Sequence, residues 1–324
     1  MYYKRELRIE GYRSLRVFAW AFGCSLAGRC VVLQGVNIVH IVINKDHGGI
    51  VSEAIELMAA SVRALGFKVE VSQNTFYQKS LNIVVGAAAY LSRQNMDDMR
   101  KLSPAYVIWQ LEPLDEEGGF LRKYPLYAEL MKGAVDLWEY SEGNVEYLKQ
   151  MGFKGGRYIP LGYARSLERI VPVREEFDVL FYGAVNERRR AFLTELEGRG
   201  LKVCTLFGAY GQMRDGVIGR SRIVLNVHQF ETQRLEQVRI SYLLNNRRFV
   251  ISERSEENPY GDGVVYSDYE RLTDTCVKYL RAGMEGERAR VAGVGYEILK
   301  KLPMSACLKE ALEKIEGLEW PGRS

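Results

Sequence analysis

The chain has 324 residues, 47% of them hydrophobic and 27% charged, an ordinary balance for a soluble globular protein that is long for one hydrophobic core and comfortable for two domains. Its net charge of +4 is too mild to imply a nucleic-acid or membrane partner and suits an anionic small ligand. Five scattered cysteines (Cys24, Cys30, Cys204, Cys276, Cys307), odd in number and without a C-x-x-C pair, argue against a disulfide framework or a zinc site and for free thiols in a reducing cytosol.

Residues 1–16 are basic and 17–27 apolar, a faint likeness to a signal peptide. The sequence around Cys24 is a poor cleavage site, however, and Arg29 and Gln34 interrupt the run well short of the ~20 apolar residues of a membrane span. Residues 1–35 therefore read as an extension packed on the first domain, with no transmembrane segment, and the protein reads as cytoplasmic.

From Val36 short β-branched runs alternate with helix-length segments. Strands are expected at 37–43, 67–71, 81–85, 106–111, 134–140 and 157–160, with helices at 50–65, 121–132 and 144–151. Gly66 and Gly152 stand just past helical runs, where a helix end favours glycine. This alternation predicts an α/β domain over 36–165, a mostly parallel sheet with helices on both faces. Residues 161–176 read as a crossover with no clear period.

A second domain is expected over 166–303. Its strands fall at 177–182, 201–206, 223–227 and 249–251, and its helices at 187–197, from 235, at 269–282 and at 285–301; 207–215 reads as a loop before a short helix. Residues 304–324 read as a last helix and a loose tail. The fold class is thus α/β, with two doubly wound domains facing across a cleft.

The most informative segment is 220–253, a strand, a polar loop carrying His228, Glu231 and Arg234, a helix starting near Glu236, and a closing strand. Open α/β sheets hold ligands beyond the carboxyl ends of their strands, and a helix N-terminus favours a phosphate-bearing one. Glu236 could accept two hydrogen bonds from a ribose diol or simply be a first-turn acid stabilised by the helix dipole. Arg239, one turn on, shares its face and could pair with it. His228 is either structural or part of the site. Earlier, the run FYGAVNERRR (181–190) places Gly183 and Asn186 before a helix whose first turn carries Arg188. A diphosphate seated between Gly183 and Arg188 fits that chemistry, and so does a plain strand–helix turn with a solvated basic face. In the first domain, His47 in a glycine-rich loop and Glu112 at the end of a strand are acceptor-side candidates. No P-loop, G-x-G-x-x-G, G-x-S-x-G or H-E-x-x-H motif is present, nor an Asp-x-Asp pair to hold a metal against a diphosphate. The expectation is no metal and no cofactor, with arginines and helix N-termini neutralising any diphosphate.

The strings DVLFYGAVNERR (178–189), RSRIVLNVHQFE (220–231) and LEQVRISYLLNNRRFVISE (235–253), with WQLEPL, WEYSEGN and YIPLGY, resemble glycosyltransferases of the GT-B architecture, in particular the retaining group-1 superfamily and its spore-maturation-protein-like branch. The resemblance implies two Rossmann-like domains, the C-terminal one binding a nucleotide sugar and the N-terminal one the acceptor. Related enzymes carry two glutamates eight positions apart, the second on the donor ribose. Glu236 matches the second; at the first stands His228, and Glu231 could serve if the loop is shortened. Arg188 would match the basic group on the diphosphate.

The resulting expectation is a metal-independent, retaining glycosyltransferase with a nucleotide-sugar donor and an unknown acceptor (saccharide, protein or small molecule before nucleic acid). His228, Glu231 and Arg188 are its catalytic candidates, and Gly183, Asn186, Arg188, Arg234, Glu236 and Arg239 its donor-binding ones. The alternatives are a catalytically weak or inactive nucleotide-sugar-binding module, a nucleic-acid glycosyltransferase, and a sugar-nucleotide epimerase.

Overall fold

The computed structural model describes residues 38–43, 49, 51–86, 91–114, 119–229 and 234–322. The expected N-terminal extension, His47 and Glu231 lie outside them.

In the first unit, strands β1 (Ile38–Ile43), β2 (Lys68–Gln73), β3 (Leu81–Val85), β4 (Ala105–Gln110), β5 (Asp136–Glu139) and β6 (Arg157–Tyr158) form a parallel sheet in the order β2-β1-β3-β4-β5-β6. Side chains alternate between its two faces, as a strand's period of two requires. Val39, Ile41 and Ile43 pack with Ile55, Met58 and Val62 of α1 (Ser52–Ala64), while Val42 turns to the other face with Met96 and Leu130. Both faces are covered, so β3 and β4 are buried along their whole lengths.

Three local departures from the sequence expectation have physical causes. A helix, α2 (Arg93–Leu102), follows Ser92, whose hydroxyl accepts from Asn95 N at 3.2 Å. It escapes notice because only Met96 and Met99 mark its buried side in a polar stretch. The expected helix over 121–132 is two: α3 (Phe120–Lys123) stops at Tyr124, and α4 begins on Pro125 (Pro125–Lys132), whose missing N–H is harmless at a first helical position. The third departure is α7, in the second unit, which starts at Gly211 inside the expected loop. Helix α5 (Glu142–Gln150) begins where Ser141 accepts from Asn144 N at 3.3 Å, the cap that the sequence suggests.

The second unit is a five-stranded parallel sheet. Its strands β7 (Phe177–Tyr182), β8 (Val203–Leu206), β9 (Ser221–Asn226), β10 (Val250–Glu253) and β11 (Val265–Ser267) run in the order β11-β10-β9-β7-β8. Helices α6 (Glu187–Gly198), α7 (Gly211–Gly219), α8 (Gln237–Asn245), α9 (Leu272–Leu280) and α10 (Glu285–Lys300) cover it. Strand β11 has three residues at the sheet edge, too short for a hydrophobic period to betray it.

The last helix, α11 (Met304–Leu312), leaves this unit and packs beside α1, its Leu308, Ala311 and Leu312 joining the first unit's core. The tail is not loose as far as Gly322: Trp320 meets Phe67 edge-on at 5.1 Å between ring centres. The chain therefore passes between the units twice, and the two passages are pinned side by side. Tyr163 N donates to Leu302 O at 2.8 Å, and Met304 N donates to Tyr163 O at 3.0 Å. A side chain on Gly162 would strike Leu302 O, so the close approach requires glycine there. No helix among the described residues is long and apolar enough to cross a membrane.

Candidate functional site

Strand order reverses at β1 and β3 in the first sheet and at β7 and β9 in the second, and ligands of such sheets bind beyond the carboxyl ends at those points. A cavity of about 450 Å³ opens there between the two units. The first unit contributes Glu53, Glu112 and Tyr140 to its wall; the second contributes Tyr182, Gly183, Arg189, Arg214, His228, Arg234, Glu236 and Arg239.

Strand β7 delivers Gly183 at φ +132°, a conformation that other residues rarely adopt, and a Cβ there would come within 3.0 Å of Arg239 Nη2. The backbone is thus bare where a guanidinium lies over it. Arg239 is on the first turn of α8. Its Nη1 donates to Asn226 Oδ1 at 2.6 Å, its Nε has no hydrogen-bond partner among the described residues, and the Tyr182 ring lies 5.0 Å from it.

Glu236 occupies the N-cap of α8 but does not cap it. Its carboxylate turns inward to accept from Asn226 Nδ2 (2.8 Å), to meet His228 Nδ1 (3.0 Å), and to accept from Arg189 Nη2 (3.3 Å). His228, 2% exposed just beyond β9, places its other ring nitrogen 3.1 Å from the Arg254 carbonyl and 3.0 Å from Ser255 Oγ. Donating to both the Glu236 carboxylate and the Arg254 carbonyl requires a doubly protonated imidazolium, whereas a neutral ring keeps Nδ1–H on Glu236 and accepts from the Ser255 hydroxyl at Nε2. Burial alone would lower the His228 pKa, but Glu236 and then Glu253 outweigh it, and the value is raised. The Glu236 pKa is correspondingly lowered: burial opposes this, and His228, Arg239 and Asn226 prevail.

A stability prediction follows from His228. A raised folded pKa means that the stabilisation is complete below the unfolded value of about 6.5 and is lost as pH climbs through the folded one. Melting temperature should therefore fall across neutral to mildly alkaline pH in the wild type and be flatter in His228→Gln. Parallel profiles for the two proteins would mean that the imidazole is not charged.

Arg189 frames the site from α6. Nε and Nη2 donate to Val227 O at 2.9 and 2.6 Å and Nη1 to Ala184 O at 2.8 Å, tying together the loops after β7 and β9. Burial, with Arg239 adding to it, pushes its pKa down to about 10, still charged at neutral pH.

The sequence candidates separate cleanly in space. Gly183, Arg234, Glu236, Arg239, His228 and Glu112 line the cavity. Arg188 does not: its guanidinium donates to Glu253 Oε2 at 2.8 Å and stacks on Tyr269 at 3.8 Å, so the guanidinium beside Gly183 in the cavity is that of Arg239. Asn186 is a helix cap, its Oδ1 accepting from Arg189 N at 3.0 Å. Arg234 packs on Gly143 of the first unit and pairs with Glu256 at 3.1 Å. Glu112 faces the cavity, where surrounding protein raises its pKa. Sequence reading missed Arg189, Asn226, Arg214 and Glu53. The first two sit within the strings already singled out; the last two are joined only by tertiary structure. Among the described residues no three His, Cys, Asp or Glu side chains converge to hold a metal ion.

Two parallel α/β units closing on such a cleft are the GT-B architecture of glycosyltransferases. The chain superimposes on Anabaena HepE, solved with UDP and glucose, at a TM-score of 0.60 and 10% identity, covering 86% of this chain and 100% of that one. It also matches a UDP-forming trehalose-phosphate synthase from Burkholderia vietnamiensis (TM-score 0.54, 9% identity, 85% and 98% covered) and AviGT4, a glycosyltransferase of avilamycin A biosynthesis (0.51, 13%, 84% and 96%). No protein-family model matches. Among curated proteins, uncharacterized proteins L140 and R358 of Acanthamoeba polyphaga mimivirus are 26% and 25% identical over 168 and 158 residues, 48% and 46% of this chain. The chain spans about half the length of those relatives, 55% of each.

Proposed function

We propose that the protein is a metal-independent glycosyltransferase that moves a sugar from a nucleoside diphosphate donor to a hydroxyl-bearing acceptor. The observation that carries this reading is the Arg239 guanidinium lying over the bare backbone of Gly183 in the interdomain cavity. A fixed cation beside an exposed peptide edge suits the oxygens of a departing diphosphate. Glu236 would hold the donor ribose, His228 would orient that carboxylate, and Glu112, with its raised pKa, would face the acceptor. Two of the structural neighbours, HepE with its UDP and glucose and the UDP-forming synthase, support a nucleotide-sugar donor, and the resemblance to the retaining superfamily supports retention.

A second reading, a binding module without turnover, is favoured by one observation: His228 stands where related enzymes carry a glutamate and is turned into the protein. One screen tests both. Among UDP, GDP, ADP, CDP and their sugars, a true donor at about 100 times its Kd should add ~2.7 kcal/mol of stability, read as a rise in melting temperature. No shift with any nucleotide would remove the donor site. A shift without any sugar release on long incubation would favour the module.

A further inference from the structure

The cavity wall carries a second guanidinium, that of Arg214 on α7, only 5% exposed and, like Arg239, set against the Tyr182 ring. Its Nη2 pairs closely with the carboxylate of Glu53, which is 4% exposed and comes from the opposite unit, in the first turn of α1. The neighbouring carboxylate, Asp215, is already engaged, accepting from Tyr242 Oη at 2.7 Å and Arg169 Nε at 3.0 Å. The Arg214 Nε has no hydrogen-bond partner among the described residues. A buried donor left unmade is costly, and its place on the cavity wall points to a ligand that would complete it. Burial first, and Arg239 in the opposite sense to Asp215, act on the Arg214 pKa, with a net lowering.

We propose that Arg214 is a second anion site for the phosphoryl oxygens of a nucleoside diphosphate, occupied by the Glu53 carboxylate until the phosphate replaces it. This rests on the donor reading above and adds to it a residue contributed by the other unit. A diphosphate brings more charge than a carboxylate and can meet both edges of the guanidinium fork, including the vacant Nε. The exchange lowers the apparent donor affinity by the fraction of molecules in which Glu53 holds Arg214. It also couples donor binding to the fit of the two units: the displaced carboxylate keeps Arg169, 3.6 Å away, as a partner, while Arg169 itself bridges to Glu56.

The test is nucleotide binding to Glu53→Gln, which keeps the side-chain shape and removes the charge. By calorimetry with the best nucleoside diphosphate from the screen, and with inorganic pyrophosphate alone, Glu53→Gln should bind at least about tenfold more tightly than the wild type. Arg214→Gln should bind more weakly, and the gain should vanish in the double variant. A purely structural ion pair would give weaker binding in both single variants. Unchanged or weaker binding in Glu53→Gln, with a wild type that binds, overturns the exchange alone. Absence of binding in wild type and variant overturns the donor reading and the exchange together. Should Glu53→Gln fail to fold, Arg214→Gln decides: undiminished nucleotide affinity in that variant excludes Arg214 from the site.

Discussion

Arg239→Ala is expected to lower kcat by roughly 30- to 1,000-fold, the ~2–4 kcal/mol that a preorganised donor to a developing negative charge supplies. A hydrogen bond to Asn226 and the Tyr182 and Phe181 rings at 5.0 and 5.7 Å hold it in place, while its Nε makes no hydrogen bond among the described residues. Arg239→Lys should recover only part of the loss, because an ammonium supplies charge without the planar pair of donors. Arg188→Ala makes the contrast. It removes the ion pair to Glu253, which among the described residues keeps only the His228 N–H, and the stacking on Tyr269, so it should destabilise the fold while leaving kcat of the folded fraction nearly unchanged. Single-turnover kinetics on a verified donor separate the two, and an Arg239→Ala enzyme with wild-type kcat would refute the assignment.

Glu236→Ala should be the most damaging change to stability within the site, by about 3 kcal/mol at pH 6. It leaves Arg189 and a protonated His228 facing one another and deprives Asn226 of an acceptor. The lower end of the range for breaking a buried pair is appropriate because the Glu236 side chain retains 26% exposure. Glu236→Gln keeps an acceptor oxygen and should lose less. Urea denaturation at a series of pH values from 6 upward checks the mechanism: because the His228 pKa is raised by Glu236, the penalty should shrink as rising pH removes the imidazole proton. A penalty that does not change with pH would remove the imidazolium from the account.

The doubly wound pattern was legible because strands buried on both faces, such as LNIVV at 81–85, read as unbroken apolar runs between helix-length spacers. That His228 and Glu236 belong to one short segment was legible too, but not their pairing: Arg239 was the expected partner of Glu236, and its Nη1 bonds Asn226 instead. What the sequence withheld is rotational and long-range. Arg188 and Arg189 differ by about 100° around one helix, and nothing in three consecutive arginines says which faces the cavity. Phe181 and the Val227 carbonyl, both reached from Arg189, decide it. Glu53 and Arg214 lie in different units, and only folding brings them into contact. Helix α2 and strand β11 were hidden for a simpler reason, having too few apolar positions to establish a period.

The paired passages at Tyr163 and Pro303 have a consequence for how the molecule can be divided. Because α11 and Trp320 complete the first unit from the far end of the chain, no single cut yields both units whole. A fragment ending near residue 165 lacks a wall of its own core, and an exchange of first units with a relative must graft two separate stretches. A gene-fusion chimera that swaps only the leading stretch would inherit a mismatched closing helix, so recombination at the obvious midpoint is a poor route to a well-packed hybrid of this protein.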